Sequence, residues 1–282
     1  MGEATRVGVV QMTSNEEVDR NMDIAERLVC QGARDGARLL VLPECFAQLG
    51  REEDKFAVAE TLPTTGTPPG PILARCMDWA KELEVELVLG GFWETGPDER
   101  HPYNACLHVD GSGELRAAYR KIHLFDVDLD DGTKLLESET VGRGDPDQVV
   151  VTDTAFGKLG LTVCYDLRFP QLYFRLVDAG AIAHAIPAAF TLHTGKDHWH
   201  VLQRARAIET QSYVLAAAQV GRHRRADGSG SRVSYGHALI VDPWGTVLAE
   251  CGEGEGVAIA TVDPACVERV RTQLPSLRHR RR

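Results

Sequence analysis

Short apolar runs separated by stretches of helical spacing limit, more than any other feature, how this chain can fold. Residues 7–12 (VGVVQM), 37–42 (ARLLVL), 86–93 (ELVLGGFW), 159–163 (LGLTV), 181–186 (AIAHAI) and 213–220 (YVLAAAQV) have strand length and are rich in β-branched and leucine side chains. Apolar runs without alternation suit strands covered on both faces. Between them, Ile24, Leu28 and Cys30 carry a helical spacing, with Asn15 or Asn21 as the expected cap. Residues 72–84, 171–179 and 198–210 read as further helices, the first after a proline–glycine loop over 61–71. Residues 103–109 with 115–121, and 237–241 with 246–250, read as hairpins around DGSG and DPWG. Alternation of this kind argues for an α/β layered fold with a mostly buried sheet. No linker divides the 282 residues, so the expectation is one domain over 1–282 with a short basic tail at 277–282.

The ends of three runs carry reactive side chains. The run 37–42 is stopped by Pro43 and followed at once by Glu44. A carboxylate at the end of a buried strand is costly without a partner or a task. Lys121 closes the run 115–121, and Cys164 follows 159–163. In open α/β sheets, sites form outside the carboxyl ends of strands. Each residue also has a plainer reading. Glu44 suits a helix start, Lys121 a solvated strand edge, and Cys164 a small core side chain. Pro170 reads as the first residue of a helix, and backbone N–H groups near a helix start favour a thiolate at Cys164. The segment 126–146 reads as a long polar loop, which in a compact domain suggests a functional one.

Composition excludes several classes. The formal net charge is −10, which argues against a nucleic-acid partner. The basic end, LRHRRR, reads as a solvated or partner-bound tail. Seven cysteines occur at scattered positions with no CxxC, which speaks against both a disulfide framework and a thiolate zinc site. No run approaches 18 apolar residues, so no membrane span is expected. No secretory signal is read at the start of the chain. His193, His198 and His200 match no helical metal-ligand spacing, and no metal is expected.

Taken in order, LPE with Glu44, YRKIHLFD with Lys121 and CYDLRFPQL with Cys164 resemble the nitrilase superfamily of carbon–nitrogen hydrolases and its Glu–Lys–Cys triad. The resemblance runs from VGVVQM almost to the end of the chain. Glu137, in LLESETVGRG, matches a second active-site glutamate of that superfamily. Residues 198–223 and SYGHALIVDPWGTVLAE are similar to the branch that contains deaminated glutathione amidase. Lys196 and Asp197 depart from that branch in a segment, 190–197, that resembles a substrate-facing loop.

The resemblance implies a four-layer α-β-β-α sandwich and a cytoplasmic, cofactor-free amidase, assembled as a homodimer or higher homo-oligomer. It implies Cys164 as nucleophile, forming a thioester acyl-enzyme. Glu44 would be general base, Lys121 oxyanion stabiliser or proton donor, and Glu137 a second, supporting acid. The backbone N–H of Tyr165 would be a further oxyanion donor. Arg168 would bind a substrate carboxylate or pair with an internal acid. The implied substrate is deaminated glutathione, cleaved to 2-oxoglutarate and cysteinylglycine. The alternative is omega-amidase action on 2-oxoglutaramate or succinamate. A scaffold without catalysis, and a redox sensor using the same thiol, are the readings from other classes.

Overall fold

The computed structural model describes residues 2–128, 134–225, 227–228 and 232–281. Strand β1 (Thr5–Met12) leads into helix α1 (Val18–Arg34) and strand β2 (Leu39–Leu42). A single turn, α2 (Lys55–Val58), precedes α3 (Pro71–Leu83), followed by β3 (Glu86–Glu94), β4 (Tyr103–Val109) and β5 (Leu115–Arg120). Two short strands, β6 (Asp126–Asp128) and β7 (Lys134–Leu136), pair with each other. Next come β8 (Val151–Thr154), β9 (Gly157–Leu161), α4 (Pro170–Asp178), β10 (Ala183–Ala185) and α5 (Leu192–Thr210). The rest is β11 (Tyr213–Ala216), β12 (Ala218–Arg222), β13 (Val233–Tyr235), β14 (Leu239–Val241), β15 (Val247–Glu250), β16 (Gly256–Val262), α6 (Pro264–Gln273) and α7 (Ser276–His279).

Two sheets result. One runs β13-β12-β1-β2-β3-β4-β5, with β16 antiparallel on β1, and the other runs β15-β14-β11-β10-β9-β8. Side-chain alternation explains why the strands of the first sheet read as unbroken apolar runs. Val7, Val9, Leu39, Val41 and Val88 point into the layer shared with Leu159, Leu161, Ala183 and Ala185 of the second sheet. Their neighbours Val10, Leu40, Leu42, Leu87 and Leu89 point the other way, onto Leu28 and Val29 of α1 and Leu73 and Trp79 of α3. Helices α4 and α5 cover the far side of the second sheet through Leu172, Tyr173, Leu176 and Trp199. The order of layers is helix, sheet, sheet, helix, as the resemblance implied.

Several elements differ from the sequence reading, each for a local reason. Neither Asn15 nor Asn21 caps α1, whose N-cap is Glu17 without a side-chain bond. Asn21 lies fully buried inside the helix and ties the loop ends together, its amide bonding Asn15 O at 2.8 Å and Ala47 O at 3.0 Å. The run 213–220 is two strands, because the chain leaves the second sheet at Ala217 and joins the first beside β1. Helix α5 begins six residues before 198, with Thr191 as its cap. Gly195, which reads as a loop residue, is needed there because a Cβ would fall 2.3 Å from Tyr235 Cβ. The segment 126–146 is not one loop. It contains the β6–β7 ribbon and a 3₁₀ turn at Glu137–Glu139, while its residues 129–133 lie outside the described residues. Within the basic end Arg278, His279 and Arg281 are exposed, while Arg280 pairs with Asp178 and stacks 4.9 Å over Phe174; Arg282 lies outside the described residues.

Candidate active site

The two sheets face each other so that the carboxyl ends of β2 and β9 meet. Pro43 stops β2 and puts Glu44 at its mouth, 4 % exposed. The approach depends on Gly91, whose φ is +59°. A Cβ at that position would fall 2.7 Å from Glu44 Cα and 2.3 Å from Cys45 N. Gly91 sits in the irregular stretch of β3 between Leu89 and Phe92, where register shifts against β4. The glycine pair at 90–91 is therefore a device for close packing under the site.

Lys121 follows β5 and is 1 % exposed. Its ammonium donates to Glu137 Oε1 at 3.0 Å, Glu137 Oε2 at 2.9 Å and Glu44 Oε1 at 3.1 Å, using all three N–H bonds. Glu137 Oε2 also accepts from Phe125 N at 2.6 Å. Glu44 Oε2 accepts from Ala189 N, in the chain after β10, at 2.9 Å. Cys164 opens a 3₁₀ turn (Cys164–Arg168) with φ +46°, a strained conformation for a side chain, and its N–H is fixed on Pro187 O at 2.8 Å. The thiol faces and interacts with the Glu44 carboxylate. All four residues expected from the sequence thus converge on one cavity of about 400 Å³.

The electrostatics follow from burial and these partners. Burial raises the Glu44 carboxyl, but the Lys121 ammonium, the Cys164 thiol, Arg232 and Asn104 outweigh it, leaving the carboxyl below its ordinary value. Burial works against the Lys121 charge, yet Glu137 and Glu44 hold it well above the ordinary lysine value. Cys164 goes the other way. Burial and the adjacent Glu44 charge push its thiol well up, and Lys121 offsets only part. Burial, and after it the neighbouring carboxylate, thus work against the thiolate that the strand-to-helix position favours.

Residues 6–272 match the family model described as Carbon-nitrogen hydrolase. The chain belongs to the carbon–nitrogen hydrolase family. A curated relative from Synechocystis, named deaminated glutathione amidase, is 42 % identical over 272 residues, covering 96 % of each chain. Among solved structures, the Caenorhabditis elegans NitFhit protein superposes with TM-score 0.89 at 36 % identity, over all of this chain and 66 % of that one. Saccharomyces cerevisiae Nit3, a nitrilase-superfamily member, superposes with TM-score 0.83 at 30 % identity, over 97 % of this chain and 95 % of its own.

This carbon–nitrogen hydrolase carries site residues that sequence reasoning missed. Asn104, at the start of β4, donates to both Glu44 Oε1 (3.0 Å) and Glu137 Oε1 (3.2 Å). A lone asparagine in a strand gives no signal of such a bridge. Asp166, fully buried, accepts from Tyr119 Oη at 2.8 Å, Val163 N at 2.9 Å and His123 Nδ1 at 2.7 Å. It lashes the cysteine turn to the chain just past Lys121, and its place in CYD was the available signal. Arg168 lies over the rings of Tyr165 and Phe190, and its Nη1 is 3.3 Å from His198 Nδ1.

The segment 190–197 divides in a way the sequence did not show. Phe190, Thr191 and Thr194 line the cavity. Lys196 and Asp197 stand on the exposed side of α5, 57 % and 65 % exposed, and do not line it. Among the described residues, one group has metal-ligating potential. His200 and His237 share Glu250 Oε1 at 2.9 and 2.6 Å, at a place that does not line the cavity.

Proposed function

We propose that this chain is a cysteine-dependent amidase that cleaves a linear amide through a thioester on Cys164, with deaminated glutathione as its substrate. The observation that carries the chemistry is the position of Glu44. A carboxylate held charged by Lys121 faces a neutral thiol at the bottom of a cavity. As sulfur attacks the amide carbonyl, the thiol proton passes to Glu44 and the S–C bond forms. Positive charge on Lys121, and the N–H of Tyr165 in the first turn of the 3₁₀ segment, stabilise the oxyanion. One such donor is worth on the order of 3 kcal/mol. Collapse breaks the C–N bond, and Glu44 returns the proton to the departing amine. Water then attacks the thioester, giving its proton to Glu44, and the acid leaves as the thiol re-forms. A positioned base of this kind contributes roughly 10²- to 10⁴-fold. Glu137 keeps the ammonium charged and oriented.

The substrate reading is supported by the name of the Synechocystis relative, deaminated glutathione amidase, and by Arg168, a cavity cation suited to a carboxylate of the acyl part. A homodimer is supported by an apolar face on which Val201, Ile208 and Trp244 are 66 %, 48 % and 61 % exposed. A reducing, cytoplasmic setting is supported by seven unpaired cysteines. No helix among the described residues is long and apolar enough to cross a membrane. The test is steady-state hydrolysis of deaminated glutathione and 2-oxoglutaramate side by side, with Cys164→Ala as blank. Expected are a higher kcat/KM for deaminated glutathione and no turnover by the folded variant. Preference for 2-oxoglutaramate makes the enzyme an omega-amidase, and turnover by Cys164→Ala removes the cysteine mechanism.

A further inference from the structure

Five basic side chains line the cavity, and their partners divide them. Lys121 is engaged by Glu44 and Glu137, Lys55 by Glu52 at 2.6 Å, and Arg51 by Asp227 at 3.3 Å. Arg168 and Arg232 have no carboxylate in ion-pair contact among the described residues. Arg232 is the more unusual of the two. Its Nη2 donates to Ala189 O at 3.1 Å, while its Nε is buried with no hydrogen-bond partner. A guanidinium offers five donors in a fixed fork, and leaving a buried one unused costs stability unless a ligand takes it up.

The two arginines reach the cavity from different parts of the chain. Arg168 belongs to the turn that carries Cys164, the residue to which the acyl group would stay attached, and lies over Tyr165. Arg232 lies on the Glu44 side. It donates to the carbonyl of Ala189, the residue whose N–H binds Glu44 Oε2, and its charge acts on Glu44 and Glu52. Glu44 is the group that returns a proton to the amine, so Arg232 faces the departing half of the substrate.

We propose that Arg232 binds a second carboxylate, one carried by the leaving amine, so that this site selects amides acidic at both ends. This rests on the amidase reading above and extends it to the leaving group. Such a carboxylate would pair with the guanidinium where it lines the cavity. Arg232 would then set specificity for the amine half, as Arg168 does for the acyl half.

Deaminated glutathione and its C-terminal carboxamide differ only in that distal charge, and so form the test pair. Wild-type enzyme is expected to prefer the acid by roughly 10- to 100-fold in kcat/KM, the range for one charged hydrogen-bonded contact. In Arg232→Gln the preference should collapse to within about threefold, mainly through KM for the acid. Arg232→Lys should keep part of it, and Arg168→Gln should slow both substrates and leave their ratio unchanged. Any effect of Arg232 transmitted through Ala189 or Glu44 falls on both substrates and cancels in the ratio. An unchanged ratio in Arg232→Gln, or no preference in the wild type, overturns the proposal while leaving the amidase intact. Hydrolysis of neither substrate by the wild type overturns the deaminated glutathione reading instead.

Discussion

Replacing Glu137 by glutamine keeps the size of the side chain and removes one charge, and its effect can be worked from the contacts. Four hydrogen bonds reach this carboxylate, and all four come from donors. Lys121 Nζ reaches both oxygens at 3.0 and 2.9 Å, Phe125 N reaches Oε2 at 2.6 Å, and Asn104 Nδ2 reaches Oε1 at 3.2 Å. A glutamine has one oxygen and one NH₂. Whichever way it is turned, two of the four bonds become donor facing donor. The side chains of Lys121 and Glu137 are only 2 % and 13 % exposed, so water cannot take over. Two lost charged bonds, or equivalently one broken buried pair, amount to about 3 to 5 kcal/mol. That should lower Tm on the order of 10 °C. Turnover should fall on the order of 10²- to 10³-fold as Lys121 loses its orientation. Urea unfolding together with kcat/KM measures both. A variant within about 1 kcal/mol of wild type would refute the account of the buried pair. A destabilised variant with wild-type kcat would show that Glu137 serves only the fold.

The remaining predictions concern ionisation, specificity and scaffold. Glu44 has a depressed pKa in the folded state, so the stability it contributes is present above its ordinary value of 4.5 and is lost as pH falls through the lower folded value. With Cys164 raised, kcat/KM should stay flat between about pH 5 and 8, and an inflection near neutrality assigned to either group would contradict the neutral-thiol, charged-carboxylate resting state. Iodoacetamide labelling of Cys164, read by peptide mass, should accelerate only above the ordinary thiol value of 9.0. Lys196→Ala and Asp197→Ala should leave kcat/KM within about twofold, since both residues are exposed and off the cavity; a larger change in substrate preference would return that segment to the site. Tyr119→Phe removes the 2.8 Å bond to buried Asp166 and should cost about 1 to 2 kcal/mol in chemical denaturation, with no cost marking Asp166 as satisfied without it.

What could be read from the sequence was whatever is fixed by neighbours along the chain. An apolar run stopped by Pro43 places Glu44 at a strand mouth, and Lys121 and Cys164 are placed the same way by their own strands. The family motifs in order added Glu137 and the layer arrangement. Elements marked by short-range chemistry also followed, such as the proline start of α4 and the DPWG hairpin. Boundaries failed where packing overrode propensity. The helix runs through Gly195, which must be glycine because Tyr235 leaves no room for a larger residue, and the run 213–220 is broken because its two halves serve two sheets.

Distances and charge states needed the tertiary structure. That Lys121 spends its three donors on Glu44 and Glu137, that Asn104 bridges both acids, and that Arg232 Nε has no partner are relations between residues far apart in the chain. The thiol shows the limit most clearly. Local position beside a helix start predicts a lowered pKa, yet the facing sheet brings in Glu44 and removes water, and both push the pKa up. Periodicity, turn residues and motifs are local and so are written in the sequence. The field at a buried site sums over everything the fold brings near, and only the folded chain decides that sum.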